Sequence, residues 1–79
     1  MIRTAVCGVG RTGSEVLRAI LESENFQLTA AFCSPESEKA GLDVGKLLNR
    51  NDTGILIREI TQIEQTLGET PTDVVLDFS

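Results

Sequence analysis

The sequence has no histidine, no tryptophan and no tyrosine, and only three phenylalanines. Without imidazole the chain lacks the commonest general acid/base and metal ligand, so chemistry that needs one must be supplied from elsewhere. Cations are also scarce: seven against twelve acidic side chains, for a net charge of −5. They are scattered along the chain, which argues against the clustered basic face that a nucleic acid partner requires. No apolar run reaches the roughly 18 residues of a membrane span, and the N-terminus lacks the basic-then-apolar layout of a signal peptide. The expected compartment is therefore the cytoplasm. The two cysteines, Cys7 and Cys33, are too few for a disulfide scaffold. They end two predicted strands and are expected to be neighbours in space. They read as small buried hydrophobes, with a redox pair or disulfide as the alternative.

What is present fits one small globular domain. With 79 residues, 41% of them hydrophobic and 24% charged, the chain is too apolar for disorder. At this length it buries only about 60 to 65% of its unfolded surface, so its stability is expected to be marginal. Its organising stretch is Gly8-Val9-Gly10-Arg11-Thr12-Gly13, between the apolar run Ile2 to Cys7 and the amphipathic run Ser14 to Leu21. A helix start leaves backbone N–H groups unpaired and carries partial positive charge, so a diphosphate is suited to that turn. Gly8 would allow the tight turn out of the strand and Gly10 the approach of a ligand to bare backbone. Gly13 would let the helix pack closely on the strand.

Read in order, Ile2 to Cys7 is strand one. The helix after it buries Val16, Leu17, Ile20 and Leu21 and exposes Glu15, Arg18 and Glu22. It should close near Ser23 to Asn25, with Asn25 left-handed. Phe26 to Phe32 is strand two, ended by Cys33-Ser34-Pro35. Asp43 caps a short helix containing Val44, Leu47 and Leu48 after a break at Gly41, and Asn49 to Gly54 is a turn. Ile55 to Ile57 is strand three. Ile60, Ile63, Glu64 and Leu67 mark another amphipathic helix, terminated by Gly68, and Asp73 to Ser79 is strand four. Such alternation implies right-handed crossovers and an α/β, Rossmann-type parallel sheet with strand order 3-2-1-4. Residues 1–79 then form the N-terminal part of a dinucleotide-binding domain, truncated, with strand four as an exposed edge that leaves homo-oligomerisation open.

The strand-turn-helix context, and the 20 positions from Gly13 to Cys33, raise a weak Gly-x-Gly-x-x-Gly match to a dinucleotide site. A Rossmann-like scaffold holding another anion, or none, is the alternative. At the tip of strand two stand Cys33 and Ser34 rather than the carboxylate that selects NAD. Ser34 with Arg11 or Lys39 would receive an additional phosphate and favour NADP, whereas Glu36 or Glu38 folding back onto the ribose would favour NAD. The balance leans to NADP. Arg11 reads alternatively as a solvated helix-start residue. Phe78 and Ser79, outside the carboxyl end of strand four, would line the nicotinamide side of the crevice. Asp77 reads mainly as an anchor for the turn there.

Four stretches together carry a family resemblance: Val6 to Gly13, Ala30-Ala31, Gly41-Leu42-Asp43-Val44-Gly45, and Asp73 to Ser79 with its closing Asp-Phe-Ser. They resemble the N-terminal domain of the dihydrodipicolinate reductase family, enzymes of lysine biosynthesis. Many members have a longer glycine turn with methionine where Thr12 stands, and an acidic residue where Cys33 stands. The resemblance implies an NAD(P)H-binding domain of an oxidoreductase that transfers hydride to a cyclic unsaturated dicarboxylate. It also implies that substrate-binding residues lie in a C-terminal domain absent from this sequence, so catalysis is not expected of these residues alone. Related amine and diamino acid dehydrogenases share such a domain. A non-catalytic nucleotide-sensing domain and a Rossmann-like interaction scaffold are the readings from other classes.

Overall fold

The computed structural model describes residues 1–79, with element order β1 (Ile2–Cys7), α1 (Arg11–Glu22), β2 (Phe26–Cys33), α2 (Val44–Leu47), β3 (Ile57–Glu59), a 3-10 turn (Ile60–Gln62), α3 (Ile63–Glu69) and β4 (Val74–Asp77). The strands form one parallel sheet in the order β3-β2-β1-β4, as the alternation of elements predicts. No helix is long and apolar enough to cross a membrane.

The central strand β1 is buried from Thr4 to Cys7, and its neighbour β2 from Ala30 to Cys33, because helices cover both faces. One face packs Val6, Leu28, Ala31, Cys33 and Ile57 against Leu17 and Ile20 of α1 and Val44 of α2. The other packs Ala5, Cys7, Ala30 and Phe32 against Ile60, Ile63 and Leu67. The two cysteines are free thiols, buried on opposite faces of the sheet, so the disulfide alternative does not hold. Burial, with Asp77 nearby, pushes the Cys7 thiol up, which disfavours its reactive thiolate.

Several boundaries differ from the sequence expectation. Helix α1 starts at Arg11 rather than Ser14, so Arg11, Thr12 and Gly13 are already its first turn. Asn25 is not left-handed; its carbonyl accepts from Ile2 N at 2.8 Å, which holds it to the start of the β1–β2 ladder. The left-handed asparagine is Asn49, with φ 58°. Asn49 N donates to Lys46 O and Arg50 N to Gly45 O, the paired bonds that close a helix around a left-handed residue. Gly68 lies within α3, which runs on to Glu69. Strand β4 is shorter than Asp73 to Ser79, spanning Val74–Asp77.

The third strand is displaced from Ile55–Ile57 to Ile57–Glu59, and Asp43 is part of the reason. Its carboxylate accepts from Gly45 N (2.7 Å), Thr53 N and Thr53 Oγ1 (both 2.9 Å) and Gly54 N (2.9 Å). This caps α2 and ties down the turn before β3. Residues 41–44 then run antiparallel to 55–57, through Gly41 N to Ile57 O, Ile57 N to Leu42 O and Val44 N to Ile55 O. Ile55 and Leu56 are occupied by this pairing before the parallel ladder begins.

Backbone donation from Thr53, with further hydrogen bonds from Gly45, Thr53 Oγ1 and Gly54, holds Asp43 at about 2. Arg3, which bonds Asp73 through its side chain and backbone N–H, holds that carboxyl at about 2 as well. Both native pKa values lie below the unfolded value of about 3.9. Their stabilisation is therefore complete above about pH 4 and is lost as the pH falls toward 2. Asp43→Asn is expected to lower the thermal midpoint at pH 7, and the gap to the parent should narrow by pH 2.5, where the parent carboxyl is itself taking up a proton. Circular dichroism melts at the two pH values check this; a gap of constant size would contradict it.

Candidate functional site

The carboxyl ends of β1, β2 and β4 meet at Gly8. Gly8 N donates to Phe32 O at 2.9 Å, while Phe78 N donates to the preceding carbonyl, Cys7 O, at 2.8 Å. Gly8 has φ +96°, and a Cβ there would lie 2.9 Å from the backbone of Phe78 and of Ser79. Only glycine meets both demands, the left-handed backbone and the contact with the chain leaving β4. The next constraint is tighter: a Cβ on Gly13 would lie 1.7 Å from Gly8 O. The first turn of α1 thus rests directly on the end of β1. Gly10 is different, since a Cβ there meets nothing within 4 Å. Its backbone borders open space, as an approach path for a ligand requires.

Around this junction lies a cleft of about 330 Å³, lined by Gly8, Val9, Gly10, Cys33, Ser34, Ser37, Lys39, Phe78 and Ser79. A smaller cavity of about 120 Å³, shared in part by Gly8, Cys33, Ser34 and Ser79, extends toward Pro35 and Ile60. Of the residues singled out from sequence, Gly8, Val9, Gly10, Cys33, Ser34, Phe78 and Ser79 are brought together. Arg11, Thr12 and Gly13 do not line the cleft. Arg11 and Thr12 are exposed on the first turn of α1, and Gly13 is buried against Gly8. The N–H groups of Arg11, Thr12 and Gly13 have no protein acceptor; the first helical bond is Ser14 N to Gly10 O at 2.8 Å. No acidic residue stands in that turn to offset the positive end of the helix.

Lys39 and Ser37 enter the cleft from the loop after β2. Ser37 N donates to Ser34 O at 3.0 Å, closing a turn with Pro35 in its second position. Lys39 Nζ donates to Val9 O at 3.0 Å, an oxygen that also accepts from Ser14 Oγ at 3.0 Å. Ser37 was missed at the level of sequence, although the Ser-Pro-x-Ser spacing is a turn signal that returns the fourth residue to the strand tip. Glu36 and Glu38 are exposed and line neither cavity. Asp77 is the anchor expected of it, accepting from Ser79 N (2.9 Å) and Ser79 Oγ (2.5 Å), and those bonds hold its carboxyl below the usual range. No cluster of residues suited to a metal ion is present.

The contrast between Gly13 and Gly10 is testable. Gly13→Ala forces a methyl into a backbone carbonyl and should cost about 3 kcal/mol or more, lowering the thermal midpoint by over about 12 °C or preventing folding. Gly10→Ala, facing open space, should cost under about 1 kcal/mol. Melts of the two variants check this, and a Gly13→Ala protein as stable as the parent would refute the packing role.

Comparison with known proteins agrees with this geometry. The family model described as dihydrodipicolinate reductase, N-terminus, matches residues 2–79. Proteins named 4-hydroxy-tetrahydrodipicolinate reductase are similar over the whole chain: 39% identical in Methanothermobacter thermautotrophicus, 36% in Methanobrevibacter smithii and 35% in Methanocaldococcus jannaschii. The chain spans 29% of the length of each of these relatives. With the glycine turn, the strand order and the closing Asp-Phe-Ser all in place, this chain belongs to the dihydrodipicolinate reductase family and corresponds to its N-terminal part.

Proposed function

We propose that this chain is the nicotinamide-dinucleotide-holding part of a 4-hydroxy-tetrahydrodipicolinate reductase, with NADP favoured over NAD. The observation that carries the reading is the cleft at the carboxyl end of the sheet, lined by the bare backbone of Gly10, which immediately precedes the unpaired N–H groups of the α1 start. The residues present fit such a group. Gly10 and the N–H groups of Arg11, Thr12 and Gly13 would take the diphosphate, an anion matched to the positive end of a helix. Cys33 and Ser34 would border the adenosine ribose, and Phe78 and Ser79 the nicotinamide end.

When bound, the dinucleotide supplies a hydride; in the complete enzyme the acceptor would be a cyclic dicarboxylate held by the remainder of the polypeptide. The contribution of this chain is position and electrostatics. Backbone donors fix the diphosphate without a flexible side chain, and the Gly8 junction fixes the distance between the α1 start and the end of β4. Asp77 holds Ser79 in place through two hydrogen bonds rather than moving protons. No histidine is present in this chain, so none of its residues can supply an imidazole as proton donor. The free buried thiols suit a reducing compartment, and we assign the protein to the cytoplasm.

Titration of the folded chain with NADPH and with NADH, followed by nicotinamide fluorescence, should show saturable binding. Gly10→Asp should weaken it about tenfold or more by placing a side chain and a negative charge at the diphosphate position. A folded sample that binds neither nucleotide at millimolar concentration would overturn the reading.

A further inference from the structure

We propose that the cavity beside the amino end of β3 is a second ligand site, built for a small zwitterion that carries one carboxylate and one ammonium group. It shares no lining residue with the cleft at the carboxyl end of the sheet, and it stands independently of the dinucleotide reading.

The cavity holds about 160 Å³ and lies between β2, the end of α3 and the chain entering β3 at residues 54–56. Thr29 lines it from β2, Arg58 from β3, and Thr66, Glu69 and Thr70 from the end of α3. The last three stand at i, i+3 and i+4, the spacing that puts them on one face of a helix. Alternation along β3 accounts for Arg58. Ile57 enters the core on the α1 side, so the next side chain turns to the α3 side, level in register with Phe32.

Three groups around this space lack a partner within the chain. Thr66 is 6% exposed, and its Oγ1 is the one buried side-chain polar atom without a hydrogen bond. A hydroxyl in that state costs free energy until something bonds it. Arg58 and Glu69 take part in none of the ion pairs, which are Arg3–Asp73, Lys46–Asp52 and Arg50–Glu22. They line one small cavity without bonding each other. A simple anion there would be repelled by Glu69, and a simple cation by Arg58. A molecule with both charges satisfies both residues at once. The guanidinium takes a carboxylate on its fork, Glu69 accepts from an ammonium, and the Thr66 hydroxyl either donates or accepts. An α-amino acid with a small side chain is the simplest molecule of that description.

Amide NMR of the nitrogen-labelled chain during addition of L-alanine tests this, with acetate and ethylammonium as its separated halves. L-Alanine should shift the amides of residues 54–56, Arg58, Thr66, Glu69 and Thr70 saturably, with half-saturation at about 1 to 10 mM because both charges are exposed. Either half alone should bind about tenfold more weakly or worse. Arg58→Gln and Glu69→Gln should each weaken L-alanine about tenfold or more, and as exposed substitutions they should leave the fold intact. Lys46→Gln, outside the lining, should change nothing. Thr66→Val keeps the side chain's shape and removes its unpaired hydroxyl, so it should weaken binding about threefold without lowering the thermal midpoint. No saturable shift up to about 100 mM, acetate binding as tightly as L-alanine, or binding that survives Arg58→Gln would overturn the site and leave water as the cavity's occupant. None of these outcomes bears on the dinucleotide reading, which is tested at the other end of the sheet.

Discussion

The contact between residue 13 and the carbonyl of Gly8 is the constraint on which the remaining structure depends. A helix rests so closely on the end of a strand that not even a methyl group fits between them. This closeness aims the start of α1 across the carboxyl end of the sheet, and the left-handed backbone of Gly8 turns the chain in time to achieve it. The same glycine abuts Phe78 and Ser79, so three strand ends are gathered within one junction. The site is a consequence of this packing. Donors that the helix cannot satisfy internally follow directly on Gly10, which presents no side chain and borders open space.

Support for the junction is distributed unevenly. The β1–β2 pair is buried on both faces and supplies most of the core. Across β2, the third strand depends on polar chemistry, with Asp43 accepting four hydrogen bonds and holding residues 41–44 alongside 55–57. That pairing also occupies Ile57, the first residue of β3, with the chain's own backbone, which shortens the open edge of the sheet. The segment that Asp43 anchors is continuous with the loop that presents Lys39.

Much of the fold was legible because β1 and β2 are apolar, the glycine turn is unambiguous, and α1 has a clean amphipathic pattern. The order 3-2-1-4 follows from handedness once those elements are recognised. What could not be read depended on tertiary partners. Ile55, Leu56 and Ile57 are equally apolar, and only the bonds to residues 41–44 decide which of them enters the parallel ladder. Asn25 and Asn49 both follow a helix and both tolerate a left-handed backbone. Asn49 takes it because α2 closes with paired bonds to Gly45 and Lys46, while Asn25 is drawn into extended pairing by Ile2. At the site, glycines and strand ends were found because backbone position follows from topology. Ser37 was missed because its presence there depends on a turn between two loop residues, and the orientations of Glu36, Glu38 and Lys39 were undetermined for the same reason.

The family assignment and the cleft both support the proposed reading, in which this unit would bind a dinucleotide through the backbone of its first turn. Amide NMR of the nitrogen-labelled chain during addition of NADPH tests it most directly. The largest shift changes should fall on Gly10, Arg11, Thr12 and Gly13, with smaller ones at Cys33, Ser34, Phe78 and Ser79, while α3 is undisturbed. Changes confined to β3 and α3, or none at saturating nucleotide, would contradict it.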